Sequence, residues 1–598
     1  MSYILGISCM YHNSAAALIK DGEIVCAAEE ERFTRKKGDA AFPINAIKRI
    51  MDESRLFSAD LDAVAFYENT GSKFERILTS TSLTAPKSLP QFLTAVPDWI
   101  TDKLWIEHKI RRELGYKGSV YYVPHHLSHA ASAFYPSPFK EAAILTIDGV
   151  GEWAALTRGT GRGSAVEINS SLDYPNSLGL LYSAFTFYTG FKINNGEYKM
   201  MGLAPYGKPR FYDTITKELV NIAQDGSFIL NQDYFRYTYA LKTISPAFEK
   251  LFGEKARKNG EPITGFHADV AASIQKVSNE IVLKNAQSLR NETGMKNLVM
   301  AGGVALNVTA NGLLRSEGIF DDIWIQPAAG DAGGAVGAAA ETYYRTSGAE
   351  RRADGVNDGM KGSLLGYRIP PSSESDRNAL KSLGASWVNV AEKDLPAKIA
   401  ENLAAGKVVG LARGKAEFGP RALGDRSILA DCRDAAMLQR LNMKIKFREG
   451  FRPFAPIVLE EDASLYFDIK GKSPYMLFTF PVRESRRLPA DTAETVHATA
   501  ALARSDIPSV THIDYSARIQ TVSKEINPFL HKVLTEFKKL TGYGILINTS
   551  YNTNEEPIVN TAADAYRCFM RSEIDFAAIG DRWFDKNAQT AAAPKGGW

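Results

Sequence analysis

Two stretches of this 598-residue chain begin in the same way, and that repetition restricts the fold more than any other feature. Tyr3-Ile4-Leu5-Gly6-Ile7-Ser8 is a short apolar run. Ser14 to Ile19 follows, then the turn Lys20-Asp21-Gly22 and a further run from Glu23 to Ala28. This order reads as strand, turn, strand. The pattern returns at Ala142 to Ile147, followed by Asp148-Gly149 and a strand near Trp153 to Thr157. Later, Asn297 to Met300 runs into Ala301-Gly302-Gly303-Val304-Ala305-Leu306-Asn307. Ile323 to Ile325 likewise leads to Gly330-Asp331-Ala332-Gly333-Gly334. Both are strand, glycine turn, helix transitions. Together these segments predict a duplicated α/β unit with a cleft between its halves. The glycines serve either anion binding at a helix N-terminus or close helix–sheet packing.

The chain is too long for one ordinary core, so at least two domains are expected. The stretch from Thr346 to Ser363 is polar and glycine-rich and reads as a linker or mobile loop, which puts the domains at 1–364 and 365–598. With 71 Lys and Arg against 68 Asp and Glu, there is no general electrostatic drive toward nucleic acid. The four cysteines, Cys9, Cys26, Cys432 and Cys568, are widely separated, which fits a reducing compartment. The start of the chain has no basic segment before an apolar one, and no apolar run reaches membrane-spanning length. A cytoplasmic protein without membrane contact is the expectation.

Three of the nine histidines fall in Pro124-His125-His126-Leu127-Ser128-His129. In a helix, His125 and His129 share one face and suit a common metal ion. Asp148 and Asp331 close apolar strands and add carboxylates. Two imidazoles and two carboxylates without thiolate suit Fe(II), Mn(II) or Zn(II). His12, between the first two strands, is either a general base or a polar loop residue. The second domain holds the denser anion signal: Arg413, Arg421 and Arg426, then Lys444, Lys446, Arg448 and Arg452, then Arg518. These serve either a small phosphorylated anion or structural ion pairs. Asn548 to Asn552 ends an apolar strand in a polar turn that can complete such a cradle.

Taken in order, these motifs resemble the carbamoyltransferase family of nodulation-factor, cephamycin and tobramycin biosynthesis. The carrying segments are Tyr11-His12-Asn13-Ser14-Ala15-Ala16, Glu30-Glu31-Arg32-Phe33, the His125–His129 cluster, Gly196 to Gly207, Gly302 to Asn307, and Gly330 to Gly334. In the second half they are Glu417 to Gly424, Phe451 to Pro456, and Asn548 to Asn552. The resemblance implies an N-terminal duplicated actin/Hsp70-like (ASKHA) domain of the tRNA-threonylcarbamoylation type and a C-terminal α/β YrdC-like domain. It implies an ATP-dependent O-carbamoyltransferase. Carbamoyl phosphate would be hydrolysed to carbamate, carbamate joined to ATP as carbamoyl adenylate, and the carbamoyl group moved to a hydroxyl of a small natural-product acceptor. It also implies His125, His129, Asp148 and Asp331 as metal ligands with iron the expected ion, and His12 as the base. Lys37, His126, Gly202, Gly303 and Asn307 would lie near the adenylate, and Arg421, Arg452, Arg518, Asn548 and Ser550 near carbamoyl phosphate. Mg(II) accompanies ATP, and the family suggests a homodimer. The family has glycine where Tyr515 stands. Other readings are a tRNA-threonylcarbamoylation fusion and a non-transferring metal- and nucleotide-binding regulator. The acceptor pocket is expected in segments 70–110 and 165–195, with Glu197 and Asp173 suited to a cationic acceptor.

Overall fold

The first strand, β1 (Tyr3–Ser8), pairs antiparallel with β2 (Ala15–Lys20), which pairs antiparallel with β3 (Glu23–Glu29). Asp21 and Gly22 both have positive φ, so a two-residue turn of the hairpin-favouring type joins β2 to β3. The structure, a computed structural model, describes residues 1–371, 373–490, 493 and 495–589. Strands β4 (Ala63–Phe66) and β5 (Ser119–Tyr122) add in parallel on the other side of β1, giving the order β3-β2-β1-β4-β5.

A second sheet repeats this arrangement. Strands β6 (Glu141–Ile147), β7 (Ala154–Arg162) and β8 (Ala165–Asp173) form the antiparallel part, and β9 (Asn297–Ala301) and β10 (Asp322–Ile325) add in parallel beyond β6. Its order, β8-β7-β6-β9-β10, is the first sheet's order over again. The fold is therefore a duplicated α/β one, as the repeated sequence starts implied, and of the actin/Hsp70-like kind that the family resemblance implied. β1, β2 and β6 are buried along nearly their whole length, which explains their continuous apolar runs.

Six helices of this unit concern the site: α1 (Thr70–Leu83), α2 (Leu89–Thr101), α3 (His125–Phe134), α4 (Glu197–Leu203), α5 (Val308–Ser316) and α6 (Asp331–Ser347). Helix α6 packs on β1 and β2 and against α3. Its small residues allow that approach: a Cβ on Gly337 would lie 1.8 Å from the Ser128 carbonyl oxygen, and one on Gly6 1.9 Å from that of Ala335. The two helices that carry His129 and Asp331 thus meet backbone to backbone. Gly337→Ala is expected to destabilise this unit by about 3 kcal/mol through overpacking. Thermal unfolding checks this, and an unchanged midpoint would contradict so close a contact.

The chain divides into two compact units, Met1–Glu30 with Gly38–Gly359, and Glu31–Lys37 with Met360 onward. Two expectations need correction. The division falls a few residues before 364/365, and the short segment Glu31–Lys37 groups with the second unit. The polar stretch after Ser347 is also no free linker. Arg351 donates hydrogen bonds to the carbonyls of Phe134, Tyr135, Ser137 and Phe139 and lies over the Phe134 ring, which ties the stretch to the first unit.

In the second unit an eight-stranded mixed sheet runs in the order β11 (Val388–Asn389), β18 (Arg582–Asp585), β17 (Phe576–Ile579), β12 (Val409–Ala412), β13 (Arg426–Ala430), β16 (Ile545–Ser550), β14 (Ala455–Leu459) and β15 (Gln520–Val522). It is an α/β unit, as expected. Among the described residues no helix is long and apolar enough to cross a membrane.

Candidate active site

Helix α3 starts directly after Pro124, and the carboxylate of Glu152 accepts the His125 backbone N–H at 2.9 Å and that of Asn69 at 2.7 Å. A carboxylate thus caps a helix whose own first residues offer no cap. The cap fixes the phase of the helix, and the four-residue spacing puts His125 and His129 on one face. Their Nε2 atoms are 3.1 Å apart. Asp148 Oδ2 lies 3.2 Å from His125 Nε2 and 3.8 Å from His129 Nε2. Asp331 Oδ1 lies 3.8 and 3.7 Å from the same two atoms. One ligand atom from each of the four residues falls within 4.8 Å of all the others. Ligands bound at 2.0–2.2 Å to one ion sit about 3–3.5 Å apart. Asp331 Oδ1 is buried and has no hydrogen-bond partner among the described residues. The donor set therefore fits a divalent transition metal.

Two of the four ligands have a neighbour behind them. The Gly303 N–H donates to Asp148 Oδ1 at 2.7 Å. Glu68 Oε2 stands 3.8 Å from His125 Nδ1 and is itself paired with Lys73; both are buried. Burial alone would lower the His125 pKa, but the Asp148 hydrogen bond and the Asp331 charge outweigh it and raise it. Burial would raise Asp148, yet its histidine partners hold it well below the usual carboxylate range. Burial pushes Glu68 up, with Lys73 opposing.

His12 stands at the edge of this group, with Nε2 3.8 Å from Asp331 Oδ2. Its Nδ1 lies 3.0 Å from Asn13 Oδ1, which can only accept. That contact assigns the proton to Nδ1 and leaves the Nε2 lone pair free. Met10 and Asn13, on either side, have φ of +87° and +56°. For Met10 this is a strained conformation of the kind found at functional turns.

The other adenylate positions are dispersed. His126 is outside the ligand group: its Nδ1 is 2.6 Å from Thr146 Oγ1, and burial, followed by the charges of His125 and His129, pushes its pKa far down. Asn307 caps α5 by accepting the Ala310 N–H, and Gln275 donates to the same oxygen. Gly202 lies one residue from the end of α4. Lys37 belongs to the second unit, where its charge acts on Lys446. Glu197 accepts from Ser183 and from the Asn194 N–H, and Asp173 accepts from Ser171, so both proposed acceptor carboxylates are engaged internally.

In the second unit the arginine-rich run splits between two roles. Arg426 is fully buried and donates to the carbonyls of Asn560, Arg413, Asp425 and Tyr367. Arg413 pairs with Glu392 and stacks on Phe529. These two are structural. Glu417 accepts the N–H groups of Leu423, Asp425 and Arg426 and so curls the loop that carries Arg421. Arg421, Arg448, Arg452, Arg518 and Lys446 form a cationic cluster. Burial first, then mutual repulsion, lowers the pKa of Lys446, Arg448 and Arg452, and Glu449 alone opposes it for Arg452. Lys446 Nζ donates to the Ser550 carbonyl, the Asn552 carbonyl and Asn552 Oδ1 at 2.6–2.7 Å, and among the described residues it meets no carboxylate. Arg448 stacks on Phe454, and Asn548 presents a buried Oδ1 with no partner among the described residues. Glu449 Oε2 lies 4.0 Å from Arg452 Nη1, and a buried group so rich in like charges suits an anion. Tyr515 has φ of +61°, the left-handed region, which explains the family's glycine there.

Residues 3–340 match the family described as carbamoyltransferase N-terminus, and residues 400–586 match carbamoyltransferase C-terminus. The chain belongs to the carbamoyltransferase family. It is 46% identical to the Synechocystis uncharacterized protein sll1178 over 98% of this chain and 97% of that one. It is 37% identical to the nodulation protein NolNO of Sinorhizobium fredii over 95% of this chain and 78% of that one. With nodulation protein U of Rhizobium tropici the identity is 30% over 99% and 98%. A carbamoyltransferase is an enzyme, so the reading of a non-transferring regulator is set aside.

Sequence reasoning gave no site role to Glu68, Glu152 or Lys73. A signal existed for Glu68, which follows the apolar run of β4 just as Asp148 follows that of β6.

Proposed function

We propose that this carbamoyltransferase uses carbamoyl phosphate and ATP to carbamoylate a hydroxyl of a small acceptor. The observation that carries the reading is the pair of sites: a four-ligand His/Asp group in one unit and a carboxylate-poor buried cation cluster in the other. In the second unit, Arg421, Arg448, Arg452 and Arg518 would grip the phosphate of carbamoyl phosphate, and Asn548 Oδ1 would accept from its carbamoyl N–H. Water would release carbamate and phosphate there. The carbamate oxygen would then attack the α-phosphorus of ATP, giving carbamoyl adenylate and pyrophosphate. Adenylation turns a poor electrophile into one with AMP as leaving group. In the first unit, His12 Nε2 would take the proton of the acceptor hydroxyl as its oxygen attacks the carbamoyl carbon. AMP departs, and Asp331 stabilises the protonated imidazole.

His125, His129, Asp148 and Asp331 would hold the divalent ion, Fe(II) by family resemblance and otherwise Mn(II) or Zn(II). When bound it supplies positive charge beside the adenylate phosphate. Glu68 orients His125. Glu68→Gln is expected to weaken metal affinity about 10–100-fold. Titration with a chelator followed by elemental analysis reads this, and equal retention of metal would remove Glu68 from the support of the site.

Labelled pyrophosphate is expected to exchange into ATP when carbamoyl phosphate is present. No exchange with all components supplied would contradict the adenylate route.

A further inference from the structure

Arg76 lies on α1, one turn beyond Lys73, and is 8% exposed. Its guanidinium lies 4.9 Å from the centre of the Tyr174 ring. Among the described residues it makes no hydrogen bond and no ion pair, and its Nε is buried without a partner. Other buried arginines of the same unit behave differently. Arg158 donates to Asn285, Ser288 and Glu292, and Arg257 to the carbonyls of Thr189, Gly190 and Glu261. Of the nearby acidic groups, Glu68 pairs through Oε2 with Lys73, and Glu152 accepts the N–H groups of Asn69 and His125.

A guanidinium stacked on an aromatic ring satisfies its face and leaves its N–H donors pointing out along the edge. That edge matches the two oxygens of a planar carboxylate, or two of a phosphate or sulfate group. Its electrostatic neighbours are Tyr11, Tyr174, Glu68 and Glu152. Tyr11 precedes His12, and Glu68 and Glu152 both touch His125, so the unmatched donors lie beside the proposed transfer site. Arg76 comes from segment 70–110 and Tyr174 from segment 165–195, the two stretches expected to line the acceptor pocket.

We propose that Arg76 receives an anionic substituent of the hydroxylated acceptor, a carboxylate or a phosphate or sulfate ester, and so sets the acceptor class of this enzyme. The inference rests on the carbamoyl-transfer reading above. It also replaces the expectation of a cationic acceptor held by Glu197 and Asp173, since both carboxylates have internal partners.

The test uses the full chain with carbamoyl phosphate, ATP and matched sets of hydroxylated compounds that differ in one substituent. Glucuronate, glucose and 6-amino-6-deoxyglucose form one set. Carbamoylation is followed by mass spectrometry. The anionic member is expected to be favoured over the neutral one in kcat/KM on the order of thirty-fold, the span of a charge-assisted hydrogen bond, and the cationic member to be the poorest. In Arg76→Gln the preference should collapse toward unity, and Arg76→Lys should retain part of it; thermal unfolding of both variants establishes that they fold. Equal use of all members, preference for a neutral or cationic member, or no use of any anionic one overturns the proposal. So does a raised KM for ATP in Arg76→Gln with acceptor preference intact, which would assign the guanidinium to the nucleotide. Pyrophosphate exchange in the wild-type protein, run without acceptor, reports separately on the underlying reading.

Discussion

His12→Asn is expected to lose acceptor carbamoylation by about 10³-fold, the middle of the range for removing a positioned general base, while pyrophosphate exchange continues. The split follows from placement. His12 Nε2 faces Asp331 at the edge of the histidine group, and its Nδ1 is fixed by Asn13. Asparagine keeps a polar side chain in the turn but has no lone pair of comparable basicity. Acceptor turnover and pyrophosphate exchange are measured on the same preparation. Loss of both would mean that His12 serves the nucleotide or the fold, and loss of neither would remove it from the chemistry.

Arg452→Ala is expected to reduce kcat/KM for carbamoyl phosphate by about 10²-fold, as for removal of one charge-assisted anion contact in a dry site. KM for ATP should change far less. The variant relieves the repulsion of Arg452 with Arg421, Arg448 and Lys446 but also removes its attraction to Glu449 4.0 Å away, so thermal unfolding is measured beside activity to separate a folding effect from loss of the anion contact. Normal carbamoyl phosphate kinetics would refute the anion site. A destabilised variant with normal kinetics would make Arg452 structural.

The duplicated fold was legible because each half opens with a continuous apolar strand and a hairpin, and both faces of those strands are buried. The four metal candidates were legible for a related reason. A helix repeats its face every four residues, and an acidic residue at the end of an apolar strand or at a helix start has few other places to point. What lay hidden depended on contacts distant in sequence. Arg413 and Arg426 look like anion ligands in sequence, yet Glu392 and a ring of backbone carbonyls hold them. The linker reading failed because composition records the polar residues of 349–359 but not the four carbonyls that Arg351 finds. Glu152 and Glu68 act through His125, and such support leaves no spacing for a sequence to show.

The most direct test supplies the protein with ATP, carbamoyl phosphate and a hydroxylated acceptor and identifies the nucleotide products together with the acceptor mass. AMP and pyrophosphate in step with an acceptor heavier by one carbamoyl unit is the expected result. ADP as the sole nucleotide product, or acceptor carbamoylation without ATP consumption, would contradict transfer by way of an adenylate.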